Sequence, residues 1–226
     1  GVDPVGETAP LVIPPHSTGE VDIPLVISNV KPWSPDDPNL YTLSVEVWNA
    51  AGGNNAKNPA HLLDNRSMRV GVRTVEITEK GLVLNGSLFP EKLIGGNRHQ
   101  DFARLGNAVP NNLQWQDAVK LRKAGMRVIR SAHYPQDPAF MDACDRLGLF
   151  VIVATPGWQF WGKGPFADRV YDDIRQMVRR DRNHPSVMMW EPILNETHYP
   201  ADFAKKARDL VHEEYPYKGC YTACDA

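Results

Sequence analysis

The chain has 226 residues, of which 42% are hydrophobic and 23% are charged, and its formal net charge is −2. This length allows one or two domains with cores of their own. The near-neutral charge and the lack of a long apolar run predict neither a nucleic-acid partner nor a membrane partner. The first ten residues lack the pattern of a signal peptide, which leaves the compartment open. Three cysteines are too few for a disulfide framework, and we expect all three to be structural.

Residues 1–78 have the pattern of a β domain. Residues 21–27 are apolar enough for a strand, although Pro24 weakens that prediction. Residues 40–48 alternate with a period of two, as a half-buried strand does, and residues 67–77 predict a further strand or a bent pair. These strands are too few for a complete seven-stranded sandwich. We therefore predict a partial β-sandwich.

Residues 79–226 change to a βα pattern. Asn85-Gly86 lies between two short apolar runs and predicts a hairpin with a type I′ turn. Strands and helices then alternate, which indicates a parallel sheet of the α/β class, as in a (β/α)8 barrel. The predicted strands are residues 92–96, 127–130, 149–153, 187–194 and the start of one at 220–223, and the predicted helices are residues 114–124, 137–147, 168–180 and 201–214.

Residues 180–196 carry the strongest chemical indication. A polar turn containing His184 precedes an apolar run that ends in Asn195 and Glu196. A run of this kind predicts a strand buried on both faces, and its polar end is costly unless it opens onto a polar cleft. Active sites of α/β barrels lie at the C-terminal ends of their strands. We therefore predict a general acid/base glutamate beside a substrate-binding asparagine; the alternative is a helix cap with Glu196 in solvent.

Seven short motifs occur in a familiar order over residues 31–225. The chain resembles the family 2 glycoside hydrolases, the group of β-galactosidases, β-glucuronidases and β-mannosidases. The motifs are Trp33-Ser34-Pro35 with Pro38-Asn39-Leu40-Tyr41, Gly71-Val72-Arg73, Leu84-Asn85-Gly86, Gly96-Asn97-Arg98-His99, Arg130-Ser131-Ala132-His133-Tyr134-Pro135, Arg182-Asn183-His184-Pro185-Ser186 and Asn195-Glu196.

The resemblance implies a fold, an activity and a partner. The fold is a partial immunoglobulin-like β-sandwich over residues 1–78, followed by the N-terminal half of a (β/α)8 TIM barrel over residues 79–226. The activity is retaining hydrolysis of a β-glycoside, which needs two carboxyl groups about 5–5.5 Å apart. The expected partner is therefore a carbohydrate substrate, and no cofactor is implied.

The resemblance also implies roles for individual residues. Glu196 corresponds to the acid/base, and Asn195 to the residue that hydrogen-bonds the sugar 2-hydroxyl. His99 and His133 correspond to sugar-binding histidines after the first and second barrel strands. Arg130 corresponds to an arginine that orients the carboxylate of the nucleophile. The alternatives are ordinary hydrogen-bonded histidines and an arginine that pairs with a buried carboxylate.

Trp158 and Trp161 follow the third predicted barrel strand, on the side of the sheet where the site is expected. Aromatic faces can stack on sugar rings, so we predict that both tryptophans bind substrate. The alternative is a packed loop in which the indole nitrogens have internal partners.

The chain departs from the family pattern at two places. Trp190 and Asn195 are separated by one position more than is usual, and Pro192 in this run suggests a bulge, which leaves Glu191 as a rival carboxylate. Ala154 occupies the position of a common acidic residue that helps to bind a metal in some relatives. We therefore expect no matching magnesium site.

The partner carboxylate, the nucleophile, lies on the seventh barrel strand in the family. A full barrel needs about 250 residues, more than the whole chain contains. We therefore expect an incomplete piece that is inactive alone and is completed by the C-terminal half of the barrel or by an oligomeric partner. β-Galactosidase-like specificity is the first expectation, β-glucuronidase-like specificity is the second, and a non-catalytic carbohydrate-binding or scaffold protein is the alternative from another class.

Overall fold

The computed structural model of the chain describes residues 6–49 and 62–224. The chain divides into two compact units. One unit comprises Gly1–Lys31 and Thr42–Met68, and the other comprises Pro32–Tyr41 and Arg69–Ala226. In the described part of the chain, no helix has the length and apolar character needed to cross a membrane.

The first unit contains most of a two-stranded sheet, which is formed by β1 (Tyr41–Trp48) and β2 (Leu62–Val70). The hydroxyl oxygens of Ser44 and Ser67 lie 2.8 Å apart across this sheet. The predicted strand at residues 21–27 is wrong, because this segment forms no strand in the structure. Pro24 has no N–H to donate, and the neighbouring Val26 is 82% exposed, so neither ladder bonds nor burial stabilise a strand there.

A three-stranded antiparallel sheet opens the larger part of the second unit. Its strands are β3 (Val75–Thr78), β4 (Gly81–Leu84) and β5 (Ser87–Leu88). The predicted hairpin is confirmed. Asn85 and Gly86 have φ angles of 51° and 80°, and a type I′ turn requires positive φ at both central positions.

The main feature of the second unit is a four-stranded parallel sheet in sequential order, with a helix after each strand. This is the first half of a (β/α)8 barrel. A parallel bridge between Trp190 and Thr222 begins the next strand. The strands are β6 (Gly95–Arg98), β7 (Val128–Ser131), β8 (Phe150–Ala154) and β9 (Val187–Glu191), and the helices are α1 (Asn111–Lys123), α2 (Pro138–Leu147), α3 (Phe166–Asp181) and α4 (Ala201–Glu214).

The predicted strand at residues 187–194 is three residues too long. The structure ends β9 at Glu191, and the next residue is Pro192. Proline cannot donate to the ladder, so the strand ends before it despite the apolar residues that follow. Glu191 is consequently the last residue of the strand, while Asn195 and Glu196 lie on the loop beyond it.

The core lies between the parallel sheet and its helices. Helix α3 turns an apolar stripe toward the sheet, in which Val170, Ile174 and Val178 are buried at helical spacing. Asp137 caps the N-terminus of helix α2, and its carboxylate accepts a hydrogen bond of 2.7 Å from the backbone N–H of Ala139. The apolar stripe holds α3 against the sheet, and the cap stabilises the start of α2.

The N-terminal edge of the sheet is anchored by Asp145. The backbone carbonyl of Asp145 accepts a hydrogen bond of 2.7 Å from the indole N–H of Trp33, which is fully buried. Its carboxylate lies 2.6 Å from Nδ1 of His184 and accepts a bond of 3.1 Å from the backbone N–H of Ser186. Arg73 donates to backbone carbonyls on both sides of Ser186. The polar turn before β9 is therefore a structural junction.

We predict that Gly148→Ala destabilises the chain by roughly 2–4 kcal/mol. Gly148 has a φ of 69°, and a Cβ there would lie 1.9 Å from the backbone oxygen of Pro35. Gly125 is the matched control because its φ is 85° but a Cβ would meet nothing within 4 Å. We expect Gly125→Ala to cost only the conformational part, roughly 1–2 kcal/mol. Urea denaturation measures both, and equal losses would contradict the close approach of Pro35.

We predict that the stabilisation provided by His184 depends on pH. Burial lowers its pKa, but the hydrogen bond and the negative charge of Asp145 raise it, and the net effect is a raised pKa. A raised folded-state pKa contributes stability that is fully present below the unfolded-state value of about 6.5 and is lost as the pH rises through the folded-state value. His184→Gln should therefore cost more unfolding free energy at low pH than at high pH. The exposed His198→Gln is the control, and a pH-independent loss in His184→Gln would refute the linkage.

Candidate active site

The C-terminal ends of the four parallel strands bring the predicted polar residues to one edge of the sheet. The strand register pairs Arg98 with Ser131, and Ala154 with Glu191. Carboxyl ends of parallel strands form the ligand-binding edge in α/β sheets. The loops that carry His99, His133, Trp158 and Glu196 all begin within a few residues of these ends.

Arg130 links the strands at this edge. Its guanidinium forms a two-pronged ion pair with Glu191, in which Nε lies 2.5 Å from Oε2 and Nη2 contacts Oε1. Nη2 also donates to Oδ1 of Asn195 at 3.0 Å, and Nη1 donates to Oδ1 of Asn97 at 3.4 Å. The hydrogen bond with Glu191 is the main cause that raises the pKa of Arg130, which stays charged. Within this chain, Arg130 therefore pairs with a buried carboxylate, the alternative noted from the sequence.

Asn195 is oriented by this pairing. Its side-chain oxygen accepts from Arg130, so its amide nitrogen supplies the donors on the other side, where a hydrogen bond from Asn195 contributes to the lowered pKa of Glu196. Its backbone forms a parallel bridge with Trp158, and its carbonyl accepts a hydrogen bond of 3.0 Å from the N–H of Gln159. The loops after β8 and β9 are therefore joined at Asn195.

Glu196 extends from this junction and is exposed. Its Oε2 accepts a hydrogen bond of 3.1 Å from the indole N–H of Trp158 and one of 2.6 Å from the side-chain amide of Gln159. These two donors, in that order, lower the pKa of the Glu196 carboxyl. The helix-cap alternative does not describe its position, because the helix that follows begins only at Ala201.

The two histidines lie beside each other. The ring centroids of His99 and His133 are 5.3 Å apart in an edge-to-face arrangement, and His133 lies 5.9 Å from the ring of Trp158. Their loops are joined by a hydrogen bond of 2.9 Å between the N–H of Gln100 and the hydroxyl of Tyr134. Burial, followed by the positive charge of Arg130, lowers the pKa of His133. A neutral imidazole can both donate to and accept from a hydroxyl group.

The structure separates the two predicted tryptophans. Trp158 is 55% exposed and lies beside Glu196 and His133. Trp161 instead packs into the core cluster, with its ring centroid 4.9 Å from Phe203 and 5.4 Å from Phe166. Trp158 thus lies beside the other residues predicted for the site, with its indole N–H bonded to Glu196, whereas the ring of Trp161 packs into the core.

Gln159 was not predicted as a site residue. Among the hydrogen bonds described, it forms the shortest one to the carboxylate of Glu196, at 2.6 Å. Its position five residues after the end of β8, next to Trp158, was the available signal. The sequence also left open the role of Glu191. In the structure its carboxylate is the ion-pair partner of Arg130. Both relations cross between loops, so neither is visible as a motif.

A possible group of metal ligands lies away from these residues. Among the described residues, Asp142, Asp145 and His184 place ligand atoms within 4.8 Å of one another. This group is at the N-terminal edge of the sheet, where Nδ1 of His184 and Asp145 already form a hydrogen bond. Its contacts are those of a structural junction, and Ala154 brings no ligand atom to the opposite edge.

We predict that Glu191→Ala destabilises the chain by roughly 1–3 kcal/mol, because Arg130 loses its counter-charge. The loss of unfolding free energy should be smaller than for a fully buried ion pair, because the Arg130 side chain is 24% exposed. Asp209→Ala, which breaks the exposed pairs with Lys205 and Arg208, is the control and should cost much less. Urea denaturation measures both. Equal costs would show that the Arg130–Glu191 pair is no stronger than a surface pair.

The amino-acid sequence matches two parts of one protein family. Residues 75–212 match "Glycosyl hydrolases family 2, TIM barrel domain", and residues 5–73 match "Glycosyl hydrolases family 2". A β-galactosidase of Thermoanaerobacter pseudethanolicus is 38% identical over 189 residues, which cover 83% of this chain and 24% of the relative. A putative β-glucuronidase of Formosa agariphila is 31% identical, over 78% of this chain and 20% of the relative.

The structural comparison agrees with the sequence matches. A crystal structure of a β-glycosidase from Bacteroides vulgatus superimposes with a TM-score of 0.69 at 30% identity, over 84% of this chain and 24% of that chain. The chain thus spans about a quarter of the length of the curated relatives it matches. The family match to the barrel domain covers more than half of the chain, and the chain belongs to glycoside hydrolase family 2.

Proposed function

We propose that this chain provides the acid/base half of the active site of a retaining exo-β-glycosidase. The observation that carries the proposal is the joined arrangement of Glu196 and Asn195 at the C-terminal edge of the parallel sheet, with Arg130 bonded to Asn195. Family membership supports it, since the relatives include proteins named β-galactosidase and β-glucuronidase.

In this proposal Glu196 first protonates the glycosidic oxygen and later takes a proton from water. Asn195 donates from its amide to the 2-hydroxyl oxygen, because its own oxygen is held by Arg130. His99 and His133 bind sugar hydroxyls, and the exposed face of Trp158 packs against the sugar ring. Trp161 supports the loop from the core rather than contacting substrate.

A general acid at neutral pH needs a raised pKa, whereas the donors Trp158 and Gln159 lower that of Glu196 in this chain. A second carboxylate a few ångströms away would raise it, since like charges disfavour ionisation. Glu191 does not fit that role, because it is only 7% exposed and neutralised by Arg130. The nucleophile is therefore expected from another part of the barrel, and this chain alone should not turn over glycosides.

A β-galactoside is the first substrate class to test, in line with the 38% identical relative. A β-glucuronide is the second, in line with the Formosa agariphila relative and with Thr155-Pro156-Gly157 after β8, which leans toward the β-glucuronidase-like members. A non-catalytic carbohydrate-binding protein would retain sugar binding without turnover.

We predict that Glu196→Gln lowers turnover roughly 10²–10⁴-fold in a polypeptide that joins this chain to the remaining barrel strands. The loss should be smaller on nitrophenyl β-glycosides than on glycosides with poor leaving groups, because a good leaving group needs little protonation. Steady-state kinetics on a panel of nitrophenyl and alkyl β-glycosides measures this. The exposed Glu213→Gln is the control.

Two outcomes would contradict the proposal. Undiminished turnover in Glu196→Gln would remove Glu196 from the acid/base role. Absence of turnover on every glycoside, with sugar binding retained, would favour the non-catalytic alternative.

A further inference from the structure

The loop after β8 holds one particular oxygen of Glu196. Trp158 and Gln159 both donate to Oε2, at 3.1 and 2.6 Å. Two donors on Oε2 make the two oxygens of the carboxylate inequivalent, and a weaker side-chain hydrogen bond from Asn195 also lowers the pKa of Glu196. Unequal hydrogen bonding favours one oxygen over the other as the carrier of the proton.

The backbone supports the same contact. The N–H of Gln159 donates to the carbonyl of Asn195 at 3.0 Å, directly before Glu196. Gln159 and Glu196 both have left-handed φ angles, 53° and 48°, which non-glycine residues adopt only when their surroundings hold them there. The two residues thus face each other across a junction that fixes both backbones.

Resting on the proposed function, we propose that Gln159 is a positioning residue that assigns separate tasks to the two oxygens of Glu196. Oε2 is held by the loop after β8, and Oε1 carries the catalytic proton. In the first step the proton passes from Oε1 to the glycosidic oxygen as its bond to the anomeric carbon breaks and the nucleophile bonds to that carbon. In the second step Oε1 takes a proton from water as the water oxygen displaces the nucleophile.

The charges around Glu196 are consistent with this division. Arg130 on β7 and His133 on the following loop face it, and Glu191 at the end of β9 is paired with Arg130. The hydrogen bonds from Trp158 and Gln159 are the two largest causes of the lowered pKa of Glu196. Gln159 is the better residue to change, because the Trp158 ring also lies 5.9 Å from His133.

The first experiment measures the ionisation of Glu196 directly, in this chain labelled with ¹³C at glutamate carboxyl groups. Glu196→Gln assigns the resonance, and its shift is followed against pH by NMR. In Gln159→Leu the pKa of Glu196 should rise toward the ordinary value of a glutamate, since the short hydrogen bond to the ionised form is lost. In Gln159→Glu it should rise further, because a like charge replaces the donor. The exposed neighbour Phe160→Leu is the control and should leave it unchanged.

The second experiment measures the pH dependence of kcat/KM in the polypeptide that joins this chain to the remaining barrel. The basic limb reports ionisation of the acid/base, so it should move to higher pH in Gln159→Leu but not in Phe160→Leu. A purely structural role for Gln159 would lower activity at every pH without moving this limb.

The outcomes separate this inference from the function on which it rests. If Gln159→Leu changes neither the pKa of Glu196 nor the basic limb, the inference is overturned, even where Glu196→Gln abolishes turnover. If the pKa moves but Glu196→Gln keeps full turnover, the contact is real and Glu196 is not the acid/base.

Discussion

The parallel register of β6 to β9 is the constraint on which the rest of this structure depends. It places the carboxyl ends of four strands at one edge, so residues from distant parts of the sequence meet there. Arg130 shows the consequence, because it reaches Glu191 and Asn195, both more than sixty positions away. The junction of Trp33, Asp145 and His184, which is largely buried, secures the opposite edge.

The site combines a rigid part and an exposed part. The ion pair between Arg130 and Glu191 lies at the sheet, where its charges are partly buried and mutually satisfied. Glu196 stands beyond it in solvent and is held by Trp158 and Gln159 from the neighbouring loop. Such an arrangement keeps the reactive carboxyl accessible while its direction is set by groups that do not react. The insertion around Pro192 is what separates these two parts along the chain.

Much of the α/β part could be predicted from the sequence. The helices and strands follow from hydrophobic period and from markers such as Asp137 and Asn85-Gly86, whose effects are local. The β part was harder, because residues 21–27 have strand composition without ladder partners. For the site, position after a strand end predicted His99, His133 and Glu196. It could not separate Trp158 from Trp161, which differ in the direction of the side chain.

The sequence by itself determined the family pattern, the order of strands and helices in the α/β part, and the placement of Asn195 and Glu196 beyond a buried strand, because these depend on residue type and spacing along the chain. The tertiary structure decided which groups pair. Glu191, a possible rival of Glu196, is the partner of Arg130, and Gln159 contacts the carboxyl of Glu196. These relations join separate loops, and only the register of the sheet brings such loops within hydrogen-bonding distance.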